Sequence, residues 1–538
     1  MSAPSPGTLH GLVDAVDGGF PCLVLPGGEV SYGALAQRSS DLAHGLHALG
    51  IGRSDRVALW LPNGPAWLEA FLACTRLGAV AVAVNTRFRS RELADILPRA
   101  GCSLLIMAPQ AGSAALADAL AAVPAERLTG LRAVVTTGDP AALRVPGGIP
   151  VIALDALRAA GPRVQDGRPG DGCVVFTTSG TTGLPKLVLH AQSGVARHGR
   201  EVAAAFGLDG PRERALVALP LCGVFGFSLA VATLAAGRPI VLPEAFDPSE
   251  SARLLRDEAV TVAVGTNEML DRMLDARAEE RPFPALRFFG HATFNPALVD
   301  LPAKAERRGV TLRGLFGMSE CLALFAIRPA DAPAEPRAVA GGVPISPQGR
   351  VRARNTATGA LVPPGQPGEI ELTGPSLMLG YLGDAAATAR AMTPDGWLRT
   401  GDLGQVDGDG GFTHLARMGD VLRVAGQLVD PREVEAVLLE DPAIAAAQVV
   451  EAARREGARP VAFVVLKPDA ALDEAALIAR CRASLAAFKA PVRVLALPAF
   501  PTTDGPNGTK VRRAALRDMA TAAVSQGAVS REKQPRDG

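Results

Sequence analysis

The sequence lacks the cysteine pattern and the charge imbalance that mark several large classes of protein. Its seven cysteines are an odd number and include no CxxC pair, which favours reduced, buried thiols over a disulfide framework. Lys and Arg total 55 against 54 Asp and Glu, a net charge of +1. We therefore expect no general affinity for nucleic acid or for an acidic membrane surface.

Long apolar runs are missing as well. The longest stretches are interrupted, one by Arg76 and another by Gly237-Arg238-Pro239, so no transmembrane span is expected. The first residues, MSAPSPGTLHGL, lack the basic start and apolar core of a signal peptide. We expect a cytoplasmic protein without a membrane span.

What the sequence does have is length and a regular alternation of patterns. A chain of 538 residues, 48% of them apolar, is suited to two or three domains with sizeable cores. Residues 56–61 read as a strand, Pro65 opens a helix, and residues 79–84 read as the next strand. The same alternation of strand-like and helix-like segments returns between residues 215 and 289. We therefore predict an α/β fold with parallel, helix-covered sheets.

The composition of the sequence changes after about residue 340. Gly, Pro and short polar turns crowd residues 344–374, which indicates a small β-rich subdomain. The pattern beyond residue 417 indicates a compact α+β unit with a helix at residues 431–439. We expect an N-terminal domain over residues 1–416 and a small C-terminal domain over 417–520. Residues 521–538 are polar and lack periodicity, so we expect a disordered tail there.

A hydroxyl-rich loop, TTSGTTGLPK at residues 177–186, lies between two apolar runs. Backbone N–H groups of a Gly-containing turn, hydroxyls and a lysine together form a cradle for phosphate oxygens. The glycine spacing differs from that of the Walker loop. The predicted phosphate ligands are Thr177, Thr178, Ser179, Gly180, Thr181, Thr182, Gly183 and Lys186.

This loop resembles the phosphate-binding loop of the adenylate-forming superfamily, which includes acyl- and aryl-CoA synthetases. Further motifs follow in that superfamily's order over nearly the whole chain. LFGMSE at 315–320 resembles its YGMTE motif, which implies that Phe316 lies against adenine, Ser319 touches the α-phosphate and Glu320 helps to hold Mg²⁺. The neighbouring positions Leu315, Gly317 and Met318 belong to the same implied nucleotide site.

Other segments carry the resemblance further. FFGHATFNP at 288–296 resembles the segment that lines adenine, which implies Gly290, His291 and Ala292 as contacts. The RTGD segment puts Asp402 in the place of the carboxylate that holds both ribose hydroxyls, and Arg417 in that of the arginine that approaches ribose and phosphate. Lys510 falls on the lysine that bridges the acid and the α-phosphate. The adjacent Arg512 and Arg513 are interpreted as a solvated basic face.

The sequence departs from the superfamily's pattern at three places. Leu187 stands where glycine usually follows the loop lysine, Cys222 and Gly223 replace a histidine beside the acid site, and Gly419 occupies a hinge position that is Asp or Lys in many members. The last change leaves rotation possible and removes a side-chain latch. The predicted acid pocket is small or apolar, which favours a monocarboxylate; its residues are Cys222, Gly223, Phe225, Phe227, Thr266, Cys321 and Leu322.

The resemblance implies an AMP-forming ligase with a small mobile C-terminal domain, using ATP, Mg²⁺ and CoA. The acid would be adenylated, with release of pyrophosphate, and then transferred to CoA. Alternatives stay open: a carrier-protein thiol or an amine as acceptor, nitrite activation for diazo formation, a luciferase-type oxygenase, or a non-catalytic nucleotide-binding protein. A homodimer is also possible.

Overall fold

The computed structural model describes residues 7–158, 161–178, 185–293, 298–418, 422–424, 427–429, 431–452, 459–485, 489–505 and 508–531. Contacts divide the chain into two compact units. The first unit comprises residues 1–293, 300–351 and 372–399, and the second comprises residues 294–299, 352–371 and 400–538. The domain boundary expected at 416/417 stays a prediction.

The α-helices, in chain order, are α1 (Leu9–Asp14), α2 (Tyr32–Ala48), α3 (Pro65–Leu77), α4 (Ser90–Ala100), α5 (Leu116–Ala121), α6 (Leu154–Leu157), α7 (Gln192–Ala205), α8 (Val224–Ala235), α9 (Pro248–Asp257), α10 (Asn267–Asp275), α11 (Leu301–Arg307), α12 (Ala334–Ala338), α13 (Ala385–Ala391), α14 (Pro431–Leu439), α15 (Glu474–Ser484) and α16 (Arg513–Arg531). Short 3₁₀ turns occupy Ala125–Arg127, Pro140–Ala142, Pro146–Gly148 and Ser319–Cys321.

The strands are β1 (Pro21–Leu25), β2 (Gly28–Ser31), β3 (Arg56–Trp60), β4 (Val80–Ala83), β5 (Cys102–Met107), β6 (Gln110–Ala111), β7 (Ala114–Ala115), β8 (Ala133–Thr136), β9 (Val151–Ala153), β10 (Gly172–Thr178), β11 (Lys186–Ala191), β12 (Ala215–Leu216), β13 (Ile240–Val241), β14 (Val262–Thr266), β15 (Phe288–Ala292), β16 (Leu312–Phe316), β17 (Ala326–Ile327), β18 (Gly341–Pro344), β19 (Arg350–Arg354), β20 (Pro367–Thr373), β21 (Gly380–Tyr381), β22 (Leu398–Val406), β23 (Phe412–Arg417), β24 (Leu422–Val424), β25 (Gln427–Val429), β26 (Ile444–Ala452), β27 (Arg459–Leu466), β28 (Arg493–Ala496), β29 (Thr502–Gly505) and β30 (Gly508–Val511).

The first unit contains a sheet of eight strands in the order β21-β11-β10-β4-β3-β5-β8-β9. The strands from β10 to β9 are parallel, whereas β11 and β21 add antiparallel partners at one edge. Its central strands are buried on both faces, as expected for a parallel sheet covered by helices. The predicted strand at 56–61 and the helix opened by Pro65 are confirmed as β3 and α3, and Pro65 is the first residue of α3.

A second run of strands in this unit has the order β18-β17-β16-β15-β14-β12-β13-β1-β2. Its middle, from β16 to β1, is parallel, while β2, β17 and β18 pair antiparallel. The carboxyl ends of β14, β15 and β16 therefore lie at one edge of the sheet, which is where ligands bind in open parallel sheets. The α/β fold predicted from the sequence is confirmed.

The second unit contains most of β19, β20 and β22 and all of β23, which are successive neighbours, and a three-stranded sheet β26-β27-β28. Helices α14 and α15 pack against that sheet. Their apolar side chains form one core with those of the strands, and this core includes Val434, Leu438, Val449 and Val464. The helix predicted at 431–439 is confirmed residue for residue.

The predicted disordered tail needs a correction. Helix α16 runs from Arg513 to Arg531, and thus through the first part of the segment expected to lack structure. Leu516, Ala520 and Val524 recur every four residues and are buried in a core with Val450 and Phe463, so an apolar stripe explains the helix. Residues 532–538 lie outside the described residues.

All seven cysteines are unpaired and buried, as the sequence predicts. Within the ranges that the structure describes, no helix is both long enough and apolar enough to cross a bilayer.

Candidate active site

The predicted phosphate loop is carried by an antiparallel hairpin of the first unit. Strands β10 and β11 pair with Thr178 opposite Lys186, so the predicted strand–loop–strand arrangement is confirmed at both flanks. Thr177 is buried, and Lys186 is the half-buried first residue of β11. The remaining predicted ligands, Ser179, Gly180, Thr181, Thr182 and Gly183, lie outside the described residues, and their contacts with phosphate stay predictions.

Glu320 lies in a tight, buried turn at the end of β16. Leu322 and Ala323 both adopt a left-handed backbone, with φ of 62° and 58°, which residues other than glycine adopt only where their surroundings impose it. The chain folds back so closely that a Cβ on Gly317 would lie 1.1 Å from the Ala323 oxygen. Position 317 therefore requires glycine, and Glu320 is 6% exposed.

Two side chains from neighbouring elements hold the backbone of this turn. His190 of β11 lies with Nε2 2.7 Å from the Ser319 oxygen, and Ser228 of α8 donates its hydroxyl to the Leu322 oxygen at 2.7 Å. His198 of α7 is buried next to Leu322. Burial lowers the pKa of His190 and of His198 to about 4, so both imidazoles are neutral at neutral pH, and His190 holds the turn through its hydrogen bond.

A tyrosine links the turn to the phosphate-loop hairpin. The Tyr381 hydroxyl donates to Glu320 Oε1 at 2.8 Å, and the Lys186 ammonium lies 4.6 Å from the centroid of the same ring. The Met378 N–H donates to the Glu320 carbonyl at 2.8 Å. The lysine and the carboxylate that the sequence assigned to phosphate and metal thus both contact one phenol, the lysine at the ring and the carboxylate at the hydroxyl.

The predicted adenine-lining segment forms β15, which ends at Ala292. His291 is buried and its Nε2 lies 2.8 Å from the Ala338 oxygen, while burial lowers its pKa to about 4. The imidazole therefore holds β15 to the last residue of α12. At Gly290 a Cβ would come within 2.8 Å of Leu315, and Phe316 is buried at the end of β16. Contact of these residues with adenine stays a prediction.

Asp402 lies in the second unit, on β22 opposite Arg417 of β23. It is buried, with Oδ1 3.2 Å from Arg417 Nε and 3.4 Å from His414 Nε2. The Thr400 hydroxyl accepts the Asp402 N–H at 3.0 Å, and the Thr400 carbonyl accepts from Arg417 at 2.9 Å. The structure thus brings together two residues that the sequence assigned to ribose and adds a histidine that the sequence reasoning missed.

The predicted acid-pocket residues belong to the first unit and are closely packed. Gly223 caps α8, Cys222 and Phe225 are buried, and burial raises the pKa of the Cys222 thiol to about 11. Phe227 packs edge-on against Trp67, Phe71 and Phe176, with ring centroids 5.1–5.9 Å apart.

Two more of these positions make local hydrogen bonds. The Thr266 hydroxyl accepts the Met269 N–H at 3.2 Å and so caps α10. The Cys321 sulfur lies 3.6 Å from the Met318 oxygen, within the Glu320 turn. Side chains from α8, α10 and this turn are thus apolar or already hydrogen-bonded.

Lys510 is placed on the hairpin β29–β30, where it pairs with Thr503. The hinge residue Gly419 lies outside the described residues. Arg513 corrects a prediction: it is not part of a solvated face, because its guanidinium donates to Glu435 Oε1 at 2.8 Å and to the Val449 oxygen at 3.1 Å. Glu435 is 2% exposed and also accepts the Val449 N–H at 2.8 Å. Arg512 is exposed, as predicted.

Sequence reasoning missed Tyr381, His190, His198, Ser228 and His414. Tyr381 is one of only two tyrosines in the chain, and it lies in a glycine-rich segment that the sequence analysis did not assign to the site. His190 and Ser228 stand among apolar residues of a strand and a helix, where nothing local indicates a partner more than 90 residues away along the chain.

Comparison with known proteins places this geometry in a family. The model of the AMP-binding enzyme family matches residues 14–382, and the model of its C-terminal domain matches residues 433–505. A feruloyl-CoA synthase of Amycolatopsis is 33% identical over 482 residues, which cover 89% of this chain and 92% of that protein. A sulfoacetate–CoA ligase of Cupriavidus necator is 32% identical over 504 residues, 93% of this chain and 95% of that protein.

Among solved structures, ATP-bound MatB from Rhodopseudomonas palustris superposes with a TM-score of 0.83 at 26% identity, and the match covers 96% of this chain and 99% of that one. The chain therefore belongs to the family of AMP-binding enzymes, and it is an AMP-forming ligase of the adenylate-forming superfamily.

Proposed function

We propose that this ligase adenylates a monocarboxylic acid with ATP and transfers the acyl group to the thiol of CoA. The observation that carries the proposal is the pair of contacts at Tyr381. They bring the loop lysine, Lys186, and the buried carboxylate of Glu320 to one place, although 134 residues separate the two in sequence. A phosphate-binding cation beside a metal-binding carboxylate is what nucleotide chemistry requires.

In the first step an oxygen of the substrate carboxylate forms a bond to the α-phosphorus, and the bond from that phosphorus to the bridging oxygen breaks, so that pyrophosphate leaves. The phosphate loop and Lys186 would hold the β- and γ-phosphates, and Asp402 the ribose hydroxyls. Lys510 would neutralise the charge that builds up between the two anions. The protein supplies no nucleophile, so positioning and electrostatics provide the rate.

Magnesium fits the residues present. When it is bound with the nucleotide, Mg²⁺ neutralises part of the phosphate charge. The Glu320 carboxylate is an oxygen ligand of the kind that Mg²⁺ prefers, and Tyr381 takes only one of its two oxygens. The described residues contain no group of three or more His, Cys, Asp or Glu that could hold a metal ion. A single carboxylate suits an ion whose other ligands are phosphates and water.

In the second step the sulfur of CoA attacks the acyl carbon, the bond from that carbon to the phosphate oxygen breaks, and AMP leaves. Two relatives that act on very different acids, feruloyl-CoA synthase and sulfoacetate–CoA ligase, are both named for CoA, which supports CoA as the acceptor. Gly419 would act as the hinge about which the C-terminal domain rotates, so that Lys510 leaves the acid and the thiol of CoA takes its place.

The acid is the finer part of the proposal. The side chains of Cys222, Phe225, Phe227 and Leu322 are buried and carry no charge, so contact with them would favour an apolar acid over one with a second charged group. We therefore favour an aromatic, cyclic or medium-chain monocarboxylate.

The test is a panel of acids assayed for pyrophosphate release with and without CoA. The expected result is release with apolar monocarboxylates and thioester only when CoA is present. If release is fast but no thioester forms, the acceptor is wrong, and carrier-protein thiols and amines are then tried in its place. If no acid causes release, the adenylation proposal itself is wrong.

A further inference from the structure

The position of Tyr381 follows from the register of the edge strands. Strand β21 pairs antiparallel with β11, so that Tyr381 lies opposite Val188. Lys186 is two residues before Val188 and therefore on the same face of β11. A diagonal neighbour across two strands is within reach of a long side chain, and the Lys186 ammonium accordingly lies over the Tyr381 ring.

The segment around Tyr381 is hydrogen-bonded on both sides. The N–H groups of Leu379 and Leu382 donate to carbonyls of Leu189 and Leu187 at 2.8 Å, and the Met378 N–H donates to the Glu320 carbonyl. The Tyr381 N–H itself donates to the Thr388 hydroxyl at 2.9 Å. The ring is 7% exposed. The phenol therefore has a fixed place between β11 and the Glu320 turn.

The chemistry of a phenol suits this place. A neutral O–H that donates to a carboxylate fixes its orientation and leaves its negative charge available to a metal ion, whereas an arginine or lysine in the same place would cancel that charge. The face of the ring attracts an ammonium group, so the lysine is held near the loop instead of extending into water. One side chain thus orients both charged groups without consuming either charge.

We propose that Tyr381 is a positioning residue for nucleotide binding: its hydroxyl orients Glu320 for the metal ion, and its ring holds Lys186 ready for the phosphates. The inference rests on the proposed function, since it takes Glu320 and Lys186 as the groups that meet Mg²⁺ and ATP. It differs from a packing role, in which only the volume of the ring matters.

Two substitutions separate the hydroxyl from the ring. Tyr381→Phe keeps the ring and loses the hydroxyl, whereas Tyr381→Leu loses both. The matched control is Tyr32→Phe, which removes the hydroxyl of the only other tyrosine, a fully buried residue that donates to the Arg238 carbonyl at 2.9 Å. ATP affinity is measured by calorimetry for each protein, without metal and over a series of Mg²⁺ concentrations, after thermal unfolding has shown that each variant is folded.

The expected pattern differs between the two variants. Tyr381→Phe should leave the affinity for metal-free ATP unchanged and reduce the gain in affinity that Mg²⁺ provides about 10-fold, as for other partners of metal ligands. Tyr381→Leu should show the same reduction and also lose about 2–5-fold in affinity for metal-free ATP. Tyr32→Phe should match the wild type. If Tyr381→Phe keeps the full Mg²⁺ gain, or if the two variants behave alike, the proposal is overturned.

Fluorine NMR provides a readout that does not depend on turnover. Protein labelled with 3-fluorotyrosine should give two resonances, and Tyr32→Phe identifies the one from Tyr381. Adding Mg²⁺ and ATP should move the Tyr381 resonance and not that of Tyr32, and Glu320→Gln should abolish the movement. A wild type that binds ATP while the Tyr381 resonance stays still refutes this inference alone. A wild type that binds no ATP refutes the proposed function and this inference with it.

Discussion

The turn around Glu320 and the hairpin that carries Lys510 are held in place in different ways. The backbone of the turn accepts hydrogen bonds from side chains of two elements, His190 and Ser228, and its carboxylate has a fixed partner in Tyr381. The hairpin is fastened where it ends, by the Arg512 N–H that donates to the Pro501 carbonyl and by the ion pair of Arg513 with Glu435.

The difference matches what each residue is asked to do in the proposed reaction. A group that binds a metal–nucleotide complex works best when it is already in position, because no reorganisation is then needed during the reaction. A lysine that serves one step and is withdrawn for the next needs a support that moves as a unit. The predictions below test each side of this contrast.

The largest effect is expected at Lys510. Lys510→Ala removes the charge proposed to bridge acid and α-phosphate, and pyrophosphate release should fall about 10²- to 10³-fold. A synthetic acyl adenylate should still be converted to thioester at close to the normal rate. Equal loss in both half-reactions would show that Lys510 is not specific to adenylation.

The fastening of the hairpin is tested at Arg513. Arg513→Met leaves Glu435 as a buried carboxylate without its cation and should reduce the free energy of unfolding of the second unit by about 3 kcal/mol. Arg512→Met, at the exposed neighbouring position, should change it by less than about 0.5 kcal/mol. Denaturant unfolding followed in parallel for the two variants gives the comparison, and similar values would mean that the ion pair does not anchor the hairpin.

Asp402 is the charged group assigned to ribose. Asp402→Ala should weaken ATP binding by about 1.5–3 kcal/mol for each hydroxyl that loses its charged partner and leave the KM for the acid nearly unchanged. Affinities for ATP and for a pyrophosphate–magnesium complex, measured by calorimetry, distinguish ribose from phosphate binding. A rise confined to the KM of the acid contradicts the ribose role.

Acid should loosen the Glu320 turn. Burial lowers the pKa of His190 and His198 from 6.5 to about 4, so the unfolded chain binds more protons than the folded one between these values. The stability due to the neutral imidazoles is fully present above pH 6.5 and is lost as pH falls towards 4, by about 3 kcal/mol for each histidine. Tm measured from pH 7.5 to 4 should fall, and His190→Gln should flatten the curve. An unchanged slope in that variant would rule out His190 as a contributor.

The smallest effect is expected at Ser228. Ser228→Ala removes the hydroxyl that holds the Leu322 carbonyl and should destabilise the first unit by about 1 kcal/mol. Because His190 still hydrogen-bonds the Ser319 carbonyl of the same turn, pyrophosphate release should fall only a few-fold. A loss as large as that of Lys510→Ala would mean that the turn depends on a single hydrogen bond.

The sequence predicted those parts of the site that are local in the chain. The strands that flank the phosphate loop, the position of Glu320 after a strand, and helix α14 all follow from patterns within a few residues. Groups whose role depends on a distant partner were missed or misread. Arg513 resembled a surface cation because Glu435 is 78 residues away, and Tyr381 meets a carboxylate 61 residues earlier.

The tail shows the same limit. Leu516, Ala520 and Val524 have helical spacing, but small and polar residues stand between them and obscure the stripe. Packing on the sheet makes that helix stable. Packing of this kind is decided by the whole fold and not by a short window of sequence.

The burial of every cysteine has a chemical consequence for an enzyme that generates acyl adenylates. Such mixed anhydrides acylate any thiolate within reach, and a protein with exposed cysteines would modify itself. Burial raises the pKa of Cys22, Cys74, Cys102, Cys173, Cys222 and Cys481, which keeps these thiols protonated and unreactive. Under the proposed function, the only competent sulfur that the activated acid meets is the one delivered by CoA, so the fold protects the enzyme from its own intermediate.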